Sequence, residues 1–514
     1  MKKIIRTITQ LPSFFYRNAS FAALSTFLLT SACAPPPPQP EPECGEASCL
    51  RIYQVMVESF IDGDPAVGHG HGYGTSHHGG DLKGVTRALP YIKGLGMNAV
   101  WLTPIFASPD SGDLKLAATG YFARDYFRVD PRFGTLEDAR ALVRRAHELG
   151  LYVFLDGVFG HHAGRAAPSP SGHRPVGPAN PVEYPASLDF YREVATYWIE
   201  ELGIDGWRLD QAYQVPVPMW AEIRRAVEET CARRRRAGHR WGVLGYMVAE
   251  VWDGEAAIAA KAYGPAEAPG LLSAFDFPMR YRLVQALAVE ENGRSRGPAR
   301  VLDEGFATHR AYPPHARPNL MLGNHDLVRF GDLIQRAGYG GPDTPDYWRR
   351  HRCAFAFMAA YSGPVTFYYG EESGSQLEGF AAPVKGDCAR QGLCDDHVAR
   401  TSGRIDGFNR RERGLQEHLR ALLAARRRHP ALWAGRRHNL LAGDYLYADL
   451  KVAGDDRVVL ALNTSTVDDT VRLAQDATGG RRLRDAVDGS VWSALEGAYA
   501  VPVAGLQARL LVVD

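Results

Sequence analysis

The amino-acid sequence predicts an α/β fold: a (β/α)8 barrel of TIM type with a short excursion after its third strand, followed by a C-terminal antiparallel β-sandwich. Three observations predict it. From Leu50 to about Pro430, eight short β-rich runs alternate with amphipathic helical stretches, the pattern of a parallel sheet closed on itself. Acids or histidines stand at the carboxyl ends of four of those runs, where barrels of this kind place their chemistry. Beyond Pro430 the helical stretches cease and simple alternation takes over, as in packed antiparallel sheets.

Taken in order, residues 1–32 have the form of an export signal. Lys2, Lys3, Arg6 and Arg17 precede the apolar run Ala19–Leu29, which ends in Thr30-Ser31-Ala32-Cys33. The run is short for a membrane span, and small residues before a cysteine make Cys33 the expected site of lipidation in a bacterial lipoprotein. Residues 33–49 form a linker whose APPPPQPEPE stretch is a stiff polyproline spacer. Loss of the four cations takes the net charge from +1 to −3, so nothing points to nucleic acid.

Six cysteines remain: Cys44, Cys49, Cys231, Cys353, Cys388 and Cys394. An even number in an exported chain suggests disulfides, with Cys44/Cys49 and Cys388/Cys394 the natural pairs. No CxxC spacing supports zinc.

The eight candidate strands are Arg51–Val57, Ala99–Leu102, Tyr152–Asp156, Gly206–Asp210, Tyr246–Glu250, Ser273–Phe277, Asn319–Leu322 and Val365–Tyr368. Helical periodicity marks Leu136–Leu149, Phe190–Leu202, Met219–Arg236, Tyr347–Tyr361 and Arg413–Arg428. The barrel is expected over residues 50–430, with the Gly-, Pro- and His-rich stretch 160–188 as its excursion. In residues 431–514, Leu440–Val452, Arg457–Asn463, Thr470–Leu473 and Gln507–Val513 are the expected strands.

The run Gly203–Asp210 carries Arg208 and Asp210 two residues apart. On a strand these share one side, and the guanidinium keeps its neighbour ionised. Alone this could be a structural ion pair. Its company argues otherwise: Asp156 ends the third run with His161 and His162 just after, Glu250 and Trp252 end the fifth, and Asn324-His325-Asp326 follows the seventh. Four such strand ends are hard to explain by packing.

LDGVFGHH (155–162), GWRLDQAY (206–213), AEVWD (249–253) and LGNHD (322–326) resemble the four ordered motifs of the alpha-amylase family of glycoside hydrolases (family 13). Similar stretches extend the resemblance over roughly residues 50–435. It implies that Asp210 is a nucleophile, Glu250 the general acid/base and Asp326 a stabiliser of the transition state, the two-carboxylate chemistry of retaining hydrolysis. Because Glu250 has no adjacent cation in sequence, it is expected to be the acid with the raised pKa. The resemblance also implies that His161 and His325 bond sugar hydroxyls, that Tyr121 stacks on the sugar and that Asp156 supports the site by pairing with Arg208. Trp252 and Tyr213 are further substrate contacts.

Departures from the family pattern accompany these matches. The resemblance implies that no cofactor is required for the chemistry; many relatives carry an Asn that ligates a structural calcium where this chain has Gly160, which supplies no oxygen, so the usual calcium site is in question. Tyr213-Gln214 replaces a common Lys-His pair, and Ser187-Leu188-Asp189-Phe190 is a weak match to a fifth motif. Asp62 and Asp64 resemble a second calcium loop of some relatives, although a plain turn is the simpler reading. The histidines at 69, 71, 77 and 78 are expected in a solvated loop, and Arg233–Arg236 at a solvated helix end.

The expected protein is therefore an exported, lipid-anchored monomer of the cell envelope, at the outer membrane or cell surface, hydrolysing mainly α-1,4 bonds of starch or maltodextrins. A transglycosylase or isomerase of the family, for example a trehalose-forming one, and a non-catalytic glycan-binding lipoprotein are the alternatives.

Overall fold

The computed structural model describes residues 45–514 apart from 111, 379, 381 and 384–392. Cys33, Cys44 and Cys388 lie outside the described residues, as does the export segment. Cys49 and Cys394 are disulfide-bonded, whereas Cys231 and Cys353 are free and buried.

Eight parallel strands form the barrel: Arg51–Val55, Ala99–Leu102, Tyr152–Gly157, Gly206–Leu209, Tyr246–Ala249, Ser273–Ala274, Leu320–Met321 and Val365–Tyr368. Each pairs with its sequence neighbour and the first pairs with the eighth. The ring closes between the sixth and seventh through a parallel bridge from Phe275 to Asn319. Residues 273–277 and 319–322 are only partly extended because both strands turn early toward the loops above them.

The period of two sorts these strands into two layers. Ile52, Trp101, Phe154, Tyr246, Val248 and Met321 pack together inside the ring. Their alternates Tyr53, Val55, Val100, Leu102, Val153, Leu155, Trp207 and Leu209 face the surrounding helices. Arg208, set between Trp207 and Leu209, therefore points inward.

The helices begin slightly earlier than periodicity suggests, at Leu188, Val217, Pro345 and Arg410. For the helix at Arg410, whose first turn is wholly charged, the cap rather than a hydrophobic pattern marks the start. Asn409 illustrates this, since its side chain accepts from the Arg411 and Glu412 backbone N–H groups while Glu412 reaches back to cap residue 409.

After Pro430 the chain forms a six-stranded antiparallel sheet and a two-stranded partner, Asp469–Ala474 with Ala498–Val503. Leu450, Val459, Ala461 and Leu511 of one sheet pack on Val471, Leu473, Tyr499 and Val501 of the other. The expected strand 440–452 is a hairpin instead: Arg436–Ala442 pairs with Leu446–Ala453 around a turn at Gly443. Arg437 ties this domain to the barrel by reaching both Asp303 and Asp449.

One further expectation is corrected in part. His69 is buried on Phe133 with ring centroids 4.7 Å apart, and the half-buried His78 bonds the buried Glu58, whereas His71 and His77 are exposed as expected. Asp64 pairs with Lys83 at 2.6 Å, and the Asp62 carbonyl accepts from Arg87, which leaves this loop a turn fastened by cations. Among the described residues, no group of three or more His, Cys, Asp or Glu is arranged to hold a metal ion.

Candidate active site

At the carboxyl ends of the strands lies a cavity of about 890 Å³ lined by Tyr121, His161, Asp210, Glu250, His325 and Asp326 among others. It thus brings together the three predicted acids and five of their predicted companions, Tyr213 and Trp252 included. Asp156 and Arg208 lie directly beneath, fully buried.

Arg208 organises the floor. Its Nη1 donates to Asp156 and to Asp210 Oδ1, each at 2.9 Å, while its Nη2 meets Glu250 Oε1 at 2.5 Å. One guanidinium thus holds the two carboxyl groups of Asp210 and Glu250 as near neighbours. Trp101 Nε1 and Tyr121 Oη both donate to Asp156 Oδ2, at 3.2 and 2.7 Å, so Asp156 is a support, as expected. The Arg208 guanidinium also lies 5.1 Å from the Trp101 ring, which cushions the buried charge.

The pairing of Arg208 with Glu250 corrects the expectation that only Asp210 has a cation. Burial raises the pKa of both acids above the usual carboxylate range, Arg208 pulls both down, and the nearby acids push both up again. Asp326 goes the other way: burial raises it, but His325, Arg400 and Arg208 together outweigh burial and lower it.

Backbone geometry sets the acids further. Gln211, directly after Asp210, is left-handed at φ 40°, a conformation that costs a non-glycine residue on the order of 1 kcal/mol. That twist turns its N–H onto Glu250 Oε2 at 3.0 Å, which aims the carboxyl group.

His325 is buried and its pKa is pushed down to about 3 by burial, so it is neutral. Gln54 Nε2 donates to its Nδ1 at 2.8 Å, which leaves the proton on Nε2 facing Asp326 Oδ2 at 3.1 Å. Its ring stacks on Tyr121 with centroids 5.3 Å apart. Arg400 Nη2 donates to the other oxygen of Asp326 at 2.8 Å.

Among the described residues, the buried Asp210 Oδ2 and His161 Nε2, which line the cavity, have no hydrogen-bond partner and lie 3.8 Å apart. Buried polar atoms are rarely left unsatisfied. Tyr213 and Trp252 stand at its rim, 49% and 46% exposed. Trp252 is braced from behind by Phe277, stacked at 5.5 Å, and by a 2.8 Å bond from its indole N–H to Tyr281, so one indole face remains open.

Residues that sequence reasoning missed include Gln54, Gln211, Gln214 and Arg400, together with His397, which stacks on Tyr73 at the cavity edge with centroids 4.3 Å apart. Gln54 lies on the first alternating run, Gln211 within a motif that resembles the family and Gln214 in a departure from its pattern, whereas Arg400 and His397 carry no such signal.

Replacing Arg208 by Met would leave Asp156, Asp210 and Glu250 buried with no cation. The expected cost is about 3–5 kcal/mol at neutral pH. The sign follows from the acids: their folded pKa values rise further, and a raised carboxyl pKa favours the folded state only where the group is protonated. Denaturant unfolding should therefore show a larger deficit at pH 8 than at pH 5.

The model of the alpha-amylase catalytic domain matches residues 54–169 and 186–433. The chain belongs to the alpha-amylase family. Within it, the chain is 27% identical to neopullulanase 2 of Thermoactinomyces vulgaris, over 90% of this chain and 77% of that one. It is also 27% identical to a cyclomaltodextrinase of Geobacillus thermopakistaniensis, over 83% and 71%. Among solved structures, AmyP in complex with maltose superposes with a TM-score of 0.89 at 53% identity, over 91% of this chain and 97% of that one.

The calcium that many alpha-amylases hold beside the third strand does not fit here. A Cβ at Gly160 would stand 2.2 Å from Gln214 Oε1, so a longer side chain has no room. Asp189 of the weak fifth motif turns outward to Arg192 at 2.7 Å, and Ser187 Oγ is taken by the Val176 N–H at 2.9 Å.

Proposed function

We propose that the protein is a retaining α-glucan hydrolase acting mainly on α-1,4 bonds of starch, maltodextrins or related glucans. The observation that carries this reading is the bare Asp210 Oδ2, unpartnered in the cavity while Oδ1 is pinned by Arg208. An oriented carboxylate with one free oxygen is a nucleophile for an anomeric carbon. Names of relatives support the substrate class: neopullulanase, cyclomaltodextrinase, and a structure with bound maltose.

In this reading Glu250 protonates the departing glycosidic oxygen while Asp210 Oδ2 forms the bond to the anomeric carbon. Glu250 then takes a proton from water, which attacks that carbon and releases Asp210. Both acids with raised pKa values suit this, because one proton shared over a buried pair leaves one member ionised and the other acidic. Asp326, held ionised by Arg400, accepts sugar hydroxyls. Tyr121 offers its ring to the apolar face of the sugar, and Trp252 and Tyr213 receive the leaving-group side.

The test is product analysis on soluble starch, pullulan, cyclodextrin and maltotriose. Release of reducing ends from at least one α-1,4-linked substrate is expected, and no cleavage of any would overturn the reading. Transfer products exceeding hydrolysis products, or turnover of trehalose, would instead make the enzyme a transglycosylase or isomerase.

We also propose export and lipid anchoring at Cys33 in the cell envelope, with the body a monomer. This rests on the cationic start, the short apolar run and the small residues before Cys33. Cys33→Ser should abolish labelling by radioactive palmitate and release the protein from the membrane fraction. Unchanged labelling would contradict it.

A further inference from the structure

Where a relative would carry Asn and calcium, this chain has a hole at Gly160 and a side chain that fills it. The ideal Cβ position at Gly160 lies 2.5 Å from Gln214 Cβ and 2.2 Å from its Oε1, so the Gln214 chain lies flat on the glycine. Its amide is fully used. Nε2 donates to Asn180 Oδ1 at 3.0 Å and to Gln211 Oε1 at 3.2 Å, and Gln211 Oε1 also accepts from Tyr213 Oη at 2.7 Å.

With the nitrogen spent on two acceptors, only Oε1 is left to face His161 Nδ1, at 2.9 Å. A neutral imidazole meeting an acceptor must carry its proton on that nitrogen. His161 Nε2 then holds a lone pair; among the described residues it has no hydrogen-bond partner, with Asp210 Oδ2 3.8 Å away and the Tyr121 backbone also against the ring. The donor set is made of neutral amides already bonded to one another, which is poor company for a calcium ion that favours carboxylates.

We propose that Gln214 is a positioning residue that replaces the calcium clamp, its amide holding the loop after the third strand and fixing His161 with Nε2 open to accept a hydrogen bond from a hydroxyl of the bound sugar. Gly160 and Gln214 form one device: the glycine makes the space and the glutamine uses it. The proposal rests on the α-glucan reading for its substrate, but the state of the imidazole is independent of any substrate.

The experiment uses the mature protein with ¹⁵N-labelled histidine, comparing long-range ¹H–¹⁵N spectra of the ring nitrogens in wild type, Gln214→Met and Gln214→Glu, with His161→Gln to assign the signals. Wild type should show His161 protonated on Nδ1. Gln214→Met, close in size, should lose that preference and lower kcat/KM on maltotriose or starch about tenfold or more. Gln214→Glu keeps the acceptor, and the amides of Asn180 and Gln211 can turn their NH₂ groups toward it. It should therefore restore both the tautomer and most of kcat/KM.

Unchanged ring signals in Gln214→Met, with kcat/KM within twofold of wild type, would overturn the proposal. So would activity that is lost on dialysis against a chelator and restored by calcium alone. A wild type that cleaves no glucan would sink the functional reading instead, while the spectra would still judge Gln214.

Discussion

Asp210→Asn is expected to lower kcat on an α-glucan by about 10⁵-fold, the scale seen when a covalent nucleophile is removed. The amide keeps the size of the side chain and leaves an acceptor for Arg208 Nη1, but its oxygen is too weak a nucleophile to displace a sugar. Unfolding cannot be the cause of the loss, and the electrostatics say why. Burial, opposed by Arg208, raises the folded pKa of Asp210, so above that pKa the ionised acid is less stable folded than a neutral group would be. The sign is that of a raised acid: its stabilising contribution is present at low pH and lost as pH rises. The variant should thus melt at or above the wild-type temperature at pH 8, with the difference shrinking toward pH 5. Calorimetry at the two pH values beside single-turnover kinetics checks both parts.

Glu250→Gln follows with a loss of about 10³-fold on natural glucans, within the range that a general acid supplies. The loss should depend on the leaving group. An aryl α-maltoside, whose phenol departs without protonation, should still acylate Asp210 rapidly and then stall, because no base remains to activate water. A burst of phenol equal to the enzyme concentration, followed by slow turnover, is the expected trace. Equal losses on maltotriose and on the aryl glycoside, with no burst, would remove Glu250 from the acid role.

Both predictions depend on residues that were legible in the sequence, and the reason is local. Asp210 and Arg208 share a face because strands alternate, and that face is the inside of the ring because Trp207 and Leu209 pack outward. Asp156, Glu250 and His325 are read the same way, each from its place at or just beyond a strand's end. The partners that tune them were not legible. Arg400 reaches Asp326 across 74 residues of chain, from a stretch with no periodic pattern to mark it; Gln54 reaches His325 across 271, and although alternation along the first strand puts it on the inner face with Ile52, nothing in the sequence names its partner. Sequence adjacency also misled, since Arg208 serves Glu250 as well as Asp210 although the two are far apart in the chain.

In the C-terminal domain, the 440–452 stretch reads as one strand because Gly443-Asp444 is a brief interruption in an otherwise alternating run. Pairing across it, from Ala442 to Tyr447, shows a tight hairpin. The burial of His69 and the packing of His78 on Glu58 are hidden for the opposite reason: a glycine-rich stretch has no hydrophobic pattern, yet glycines let the backbone pack closely. Gly80, whose ideal Cβ position lies 1.9 Å from the Val57 carbonyl oxygen, is one such approach.

The central claim is that Asp210 forms the first bond to the sugar, so that two inversions restore the starting configuration. Proton NMR of the reducing-end sugar in the first minutes of hydrolysis, before mutarotation, reads this directly. The α-anomer released first is the predicted result; the β-anomer released first would mean that water attacks in a single step and that Asp210 is not the nucleophile.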